Sequence, residues 1–417
     1  MQINPKRLMA DLRELASFGK YKTGVNRPAF SKEDVAARSW LSKKMSESGL
    51  AASTDKYGTV IGRNPKVTRA VLVGSHSDTV PNGGWLDGSL GVIYGLEIAR
   101  CFAEQGASAV GADAISFQDE EGTFLALMGS RAFCGEDIAA EIASAKDKGG
   151  AALTEAIAKS GFGPGDTLRL DRARHVAYLE SHVEQGPRLE RAGQRIGVVS
   201  AIVGIRTFRF RFQGQADHAG TTPMTMRRDA GAAALQFGVR VSDAMTAAAG
   251  PDTVWNVGSM VFKPGASNVV PNEVELVFQF RDTSVAGMDA IEDRIRQSAE
   301  DCAAACNAKV EITRTLDIRP TAMASQLIHI LDQAASELGE KPMSLPSGAG
   351  HDAMVLARYI PSAMLFVPSI GGRSHDIAED TKEEDIVRGA EVMTRALITL
   401  NLNQSRKYRI VFRPECR

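Results

Sequence analysis

Two kinds of apolar pattern take turns along the first part of the chain. Helical periodicity from about Pro28 to Gly49 gives way to the short apolar run AVLVGS (70–75), then to a helical segment from about Ser89 to Gln105, then to AISFQ (114–118). That rhythm predicts an α/β layer whose strands are buried on both faces. VAYLE (176–180) reads as a further core strand, and the alanine- and glycine-rich stretch from Gly135 to Leu170 as helices with loops. From about Thr207 the order changes to strand (TFRFRFQG), helix (MRRDAGAAALQFGVRVSDAM), strand (TVWNVGSMVF), strand (EVELVFQFRD), helix (GMDAIEDRIRQSAEDCAAAC) and strand (KVEITRTL). This βαββαβ order predicts a split ferredoxin-like unit. After Pro320 the α/β pattern returns, with a helix from about Ser325 to Leu338, the strand AMLFVP and a final helix through VRGAEVMTRALITL. The expectation is one α/β domain built from residues 1–206 and 321–417, interrupted by a compact domain of residues 207–320.

Length and composition narrow the function. A chain of 417 residues is long enough for two or three structural units and a large core. Lys and Arg number 49 against 50 for Asp and Glu, a formal charge of -1 with no basic or acidic block, so nucleic acid is not expected as a partner. The start, MQINPKRLMADLREL, scatters charges where a secretory signal needs an apolar stretch, and no later apolar run approaches membrane-spanning length. A soluble cytoplasmic protein without a membrane partner is expected. Five cysteines, Cys101, Cys134, Cys302, Cys306 and Cys416, match neither a disulfide framework nor a paired zinc motif, so reduced thiols are expected. Cys302 and Cys306 sit one helical turn apart among alanines, as packing residues do.

The candidate chemistry gathers at strand ends. His76 follows VLVGS, Glu121 follows AISFQDE and His182 follows VAYLES; ligands in α/β sheets collect beyond such carboxyl ends. The segments GSHSDTVPNGGWLDGSLG (74–91), FQDEEGTFLALMGSR (117–131), SHVEQGP (181–187) and GGRSHD (371–376) each offer imidazole or carboxylate, donors suited to zinc, manganese, cobalt or nickel. Singly, a histidine after a strand is more often a hydrogen-bonded structural residue, and a Glu-Glu pair a solvated turn. Together they point to a metal centre made of His76, Asp87, Glu121, His182 and His375. Two dications set against Asp87 and Glu121 leave net positive charge to bind hydroxide, and a bridging carboxylate such as Asp87 holds two ions about 3.5–4 Å apart. Asp78 is placed to accept the other imidazole N–H of His76, and Glu120, beside a ligand, is the natural general base.

These segments resemble the di-metal amidohydrolases related to aminoacylase and carboxypeptidase G. Within that family they are similar to the branch of N-carbamoyl-L-amino-acid hydrolase, β-ureidopropionase and allantoate amidohydrolase. The likeness runs from GVNRPAFS (24–31) to SHDIAED (374–380), and the wider family shares the HxD segment, the paired glutamates and GQADHAGTTP (214–223). HVEQGP, GHDAM (350–354) and a histidine at the fourth ligand position look like the carbamoylase branch; in the peptidase branch that position is usually acidic. The resemblance implies a catalytic α/β domain carrying two divalent ions and an inserted lid and dimerisation domain. It implies ligands at His76, Asp87 (bridging), Glu121, His182 and His375, the base at Glu120, and substrate contacts at Gln185, His218, Asn268, Arg281 and Gly350. His218 is expected to reach the active site of the other subunit of a homodimer and to stabilise an oxyanion, while a guanidinium such as Arg281 suits a substrate carboxylate. From sequence alone Arg281 also reads as a surface strand-end arginine and Asn268 as a turn residue. The implied reaction is hydrolysis of a ureido C–N bond in an N-carbamoyl amino acid or related ureido acid such as allantoate, releasing ammonia and carbon dioxide. An N-acyl-amino-acid hydrolase or peptidase on the same scaffold is the sister reading. A non-catalytic protein that binds a small acid is the third, against which the intact ligand set and Glu120 argue. His351 is at best a support behind the ligands, and His175 and His329 are expected to be structural or exposed.

Overall fold

The computed structural model describes residues 1–106, 108–162 and 165–405, so Cys416 lies outside the described residues. The chain forms two compact units, one of Met1–Ser200 with the chain from Met323 onward, the other of Ala201–Ala322. The α/β fold with an inserted βαββαβ unit is the one its apolar patterns predict.

In the first unit the sheet runs Ala51–Thr54, Val60–Arg63, Gly111–Phe117, Ala70–His76, His175–Val183, Ser362–Val367, Gly197–Ile202. Its centre is parallel: Ala70–His76 pairs with Gly111–Phe117 on one side and His175–Val183 on the other, and Ser362–Val367 pairs with His175–Val183. Every residue of Ala70–His76 and Gly111–Phe117 is buried, as continuous apolar runs require in a sheet covered on both faces. Helix Ser89–Gln105 is buried nearly all round. All four central strands therefore end on the same edge of the sheet, at His76, Phe117, Val183 and Val367.

Several elements escape the apolar pattern. Helix Pro5–Ser17 starts with Asn4 accepting the amide hydrogen of Arg7 and with proline at its first position, a start signal that the scattered charges mask. Ala51–Thr54, Val60–Arg63 and Gly197–Ile202 join the sheet antiparallel and are short.

The inserted unit has the sheet order Val254–Lys263, Glu273–Asp282, Gly204–Gln213, Lys309–Ile318, all antiparallel. Strict alternation in Gly204–Gln213 and Glu273–Asp282 sends Phe208, Phe210, Phe212, Phe278 and Phe280 to one face. They pack with helices Ala230–Ala248 and Val285–Ala305, and Cys302 and Cys306 lie in that core as packing residues. His175 is buried against Asp113, and His329 is exposed.

Asp113 is fully buried on its strand, where it receives Arg174 Nε at 2.6 Å, the Asn64 amide at 2.8 Å and faces His175 Nε2 at 3.3 Å. Burial opposes its ionisation, but His175 and Arg174 outweigh that and lower its pKa. A depressed carboxylate contributes stability above its ordinary value and loses it as pH falls toward the folded one. Asp113→Asn is expected to cost about 3–5 kcal/mol at pH 7, a gap that narrows below about pH 4. Denaturant unfolding of both proteins across pH checks this; a gap that widens on acidification contradicts it.

Candidate metal centre

The ends of the four parallel strands deliver one cluster. His76 is the last residue of its strand, His182 lies at the end of the next, Glu120 and Glu121 follow Phe117, and His375 follows Ser362–Val367 across a short loop. Among the described residues three groups of three lie close enough to share a cation: His76, Asp87 and His182; His76, Glu120 and Glu121; and Asp87, Glu121 and His375. Asp87 belongs to the first and the last. Its Oδ1 is 2.9 Å from His182 Nε2 and 3.7 Å from His76 Nε2, while its Oδ2 is 3.3 Å from His375 Nε2. One carboxylate thus faces two sets of nitrogen donors, one from each oxygen. His76, His182 and Asp87 are buried, whereas the His375 side chain is half exposed.

Local backbone explains how Asp87 gets there. Gly88, with φ of +62°, starts helix Ser89–Gln105, and a Cβ on it would come within 2.4 Å of the His76 ring. Only glycine meets both demands. Asp119, Gln185 and His375 adopt positive φ without being glycine, a strain that concentrates where loops must aim side chains.

Charge in the cluster is unevenly shared. Burial, then the charges of Asp352 and Glu121, hold Glu120 well above the ordinary carboxylate range, and burial followed by Asp87 pushes Glu121 up to about 8. Burial opposes ionisation of Asp87, yet His182 and His375 draw it well below the usual range. Burial pulls His182 down but Asp87 raises it to about 9, and the hydrogen bond to Asp87 leads in raising His375 to about 9. Carboxylates that disfavour one another's charge in this way are the surroundings in which a dication is most stabilised.

The placement of Asp78 corrects the sequence expectation. The imidazole Nδ1 of His76 meets the backbone carbonyl of Asp78 at 3.0 Å, while the Asp78 carboxylate is 4.0 Å away. That carboxylate is turned elsewhere: Oδ2 accepts the Glu121 amide at 3.3 Å, and Oδ1 accepts Arg38 Nη2 at 3.3 Å. Arg38 is fully buried and also pairs with Asp34. Arg38 and the Glu121 amide take the Asp78 carboxylate, and the backbone carbonyl of the same residue holds the ring. Arg38 carries no sequence signal of its role.

Other candidates fall as follows. Gln185 Nε2 lies 3.2 Å from Asp87 Oδ2 and 3.4 Å from His375 Nε2, against the ligand set itself. His351 beside Gly350 is buried with its ring edge-on to His182 at 4.7 Å and its Nε2 on the Ser347 hydroxyl, a support for His182. In the inserted unit, His218 and Asn268 are exposed neighbours, linked by the Ala219 amide to the Asn268 carbonyl at 3.0 Å. His218 Nδ1 accepts the Gly220 amide hydrogen at 3.1 Å, so a neutral ring carries its proton on Nε2. Arg281, at the end of Glu273–Asp282, contacts Gln279 Oε1, and Gln279 donates to Thr207.

Imidazole and carboxylate donors converging beyond parallel strands define an α/β enzyme of the hydrolytic metal-site class. The model of "Peptidase family M20/M25/M40" matches residues 72–399, and the chain belongs to that family. It is thereby a hydrolase of amide-type carbon–nitrogen bonds. It is 37% identical over 401 residues to an N-carbamoyl-L-amino acid amidohydrolase of Geobacillus stearothermophilus, covering 94% of this chain and 97% of that one. It is 32% identical to the allantoate amidohydrolase of Escherichia coli K12, covering 93% of this chain and 95% of that one. Among solved structures, an amidase of the hydantoinase/carbamoylase family from Burkholderia phymatum superposes with a TM-score of 0.90 at 45% identity, over 97% of this chain and 99% of that one.

Gly88→Ala is expected to push the His76 ring aside and to lower stability by about 1–3 kcal/mol through the left-handed backbone alone. A crystal structure of the variant with His76 unmoved would contradict this.

Proposed function

We propose that the chain is a two-metal amidohydrolase that cleaves the ureido carbon–nitrogen bond of an N-carbamoyl amino acid or related ureido acid. The observation that carries it is the pair of ligand groups sharing Asp87, with a histidine, His182, where peptidase relatives usually have an acid. Full-length likeness to amidohydrolases of ureido compounds supports the substrate class.

The residues present suit two divalent ions. Glu121 Oε1 is buried without a hydrogen-bond partner, with the His375 ring 3.6 Å away, as a ligand oxygen would be. His76, Asp87 and His182 would hold one ion, and Asp87, Glu121 and His375 the other. Nitrogen and oxygen donors serve zinc, manganese, cobalt and nickel alike. Bound there, the ions would lower the pKa of a water and polarise the substrate carbonyl.

Glu120 then does the proton work. Its Oε2 is 3.5 Å from His76 Nε2, inside the cluster, where a carboxylate can take a proton from the attacking water and return it to the leaving nitrogen. The amino acid, ammonia and carbon dioxide result. Arg281 would fork the substrate carboxylate with Asn268 beside it, and Gln185 and Gly350 would line the ureido end. The Nε2–H of His218 is the donor an oxyanion needs.

The same reading makes the inserted domain a lid and a dimerisation surface. Strand Val254–Lys263 is an edge strand with Trp255, Val257 and Val261 exposed, and Leu235 and Val239 stand out from helix Ala230–Ala248 at 56% and 73% exposure. Unpaired, apolar edges of this kind call for a partner, and a second copy supplies a self-complementary one. His218 would then serve the other subunit's site. The unpaired Cys101, Cys134, Cys302 and Cys306 suit a reducing cytoplasm. No described helix is long and apolar enough to cross a membrane.

Three measurements test this. Ammonia release from N-carbamoyl-L-amino acids and from allantoate, with each metal added back, is expected; hydrolysis confined to N-acyl amino acids and dipeptides would favour the sister reading. Glu120→Gln should keep its metal by elemental analysis yet lose about 10²–10⁴-fold in kcat; unchanged turnover would mean the base is elsewhere. Val257→Lys combined with Leu235→Glu should shift sedimentation from dimer to monomer, and an unshifted dimer would place the interface elsewhere.

A further inference from the structure

A carboxylate outside the ligand set ties together two loops drawn from opposite ends of the chain. Glu379 is 1% exposed. Its Oε1 accepts the amide hydrogens of Leu86 at 3.1 Å and Asp87 at 3.0 Å, and its Oε2 accepts the Ser374 hydroxyl at 2.7 Å. Ser374 Oγ in turn stands 3.3 Å from Asp87 Oδ2 and immediately precedes His375. The Glu379 amide donates to the Asp376 carbonyl at 3.0 Å, which folds the segment after His375 back on itself. On the other side the chain before Asp87 runs hard against this carboxylate: a Cβ on Gly84 would lie 1.9 Å from Glu379 Oε1. Trp85 adds a second tie, its indole N–H reaching Asp380 Oδ1 at 3.2 Å.

The consequence differs between the two ligand groups. His76 and His182 sit on strands Ala70–His76 and His175–Val183, whose positions are set by ladders of backbone hydrogen bonds. His375 sits on a loop, half exposed, at φ of +54°, with no ladder to hold it. Its spacing from Asp87 depends on whatever joins residues 374–380 to residues 84–88, and Glu379 contacts both.

We propose that Glu379 is the positioning residue of the Asp87–Glu121–His375 subsite, latching the His375 loop to the backbone of Asp87. This rests on the two-ion reading. Outer partners of metal ligands typically set about 10–100-fold in metal affinity, and here the effect falls on one ion of the two.

The test titrates metal-free protein with Co²⁺ alone, by calorimetry and visible absorption, for wild type, Glu379→Ala, Glu379→Gln and Ser374→Ala, with thermal melts of the metal-free forms beside them. Wild type should bind two ions. Glu379→Ala should bind one ion as wild type does and the other about 10–100-fold more weakly. Ser374→Ala, which leaves both amides satisfied but removes the bond between Glu379 and the residue just before His375, should weaken the same ion and stands in if the Glu379→Ala protein does not fold. Glu379→Gln keeps an oxygen for the amides and a polar group for Ser374, and should restore most of the lost affinity. Unchanged binding of both ions in the Ala variants, equal weakening of both, or a Gln variant as weak as Ala would overturn the latch. A wild type that binds fewer than two ions would instead overturn the two-ion reading beneath it.

Discussion

Asp87 must present each of its oxygens to a different set of nitrogen donors while buried, and much of the first unit is arranged to make that possible. A buried carboxylate is tolerated only when it is paired and hydrogen-bonded. Its pairs are His182 and His76 on one side and His375 on the other. Its backbone is held by Glu379, and the glycine after it lets helix Ser89–Gln105 begin against the His76 ring. The parallel order of four strands brings the histidines to one edge, which a sheet of mixed direction at its centre could not do.

A second tier of buried charge supports the first. Arg38 spans Asp34 and Asp78, and Asp78 passes the constraint to the Glu121 amide. Arg27, also fully buried, donates to the Ser77 carbonyl, the Ser89 hydroxyl and the Leu15 carbonyl, joining helix Pro5–Ser17 to the segments on either side of Asp87 and His76. Burial draws its pKa down to about 10, so it stays charged at neutral pH. These arginines fix loops that have no ladder of their own. The reacting groups gain orientation without giving up their donors.

Much of this is legible in the residues, for reasons that differ by element. The inserted unit declares itself because Gly204–Gln213 and Glu273–Asp282 alternate strictly, and one face of an antiparallel sheet is buried. Three of the five ligand candidates, His76, Glu121 and His182, stand out because they follow apolar runs whose carboxyl ends must coincide in a parallel sheet. Asp78 shows where spacing misleads: two residues from a histidine, its carbonyl reaches the ring and its carboxylate is taken by Arg38. Glu379 is invisible for a deeper reason. Its partners are backbone amides nearly three hundred positions away, and an amide has no letter in a sequence.

On the proposed function, Asp87 bridges two ions. A crystal structure of the metal-loaded protein, with anomalous maps at the absorption edge of the added metal, tests it most directly. Two peaks are expected, one beside each Asp87 oxygen, about 3.5–4 Å apart. A single peak, or two peaks that do not share Asp87, would contradict it.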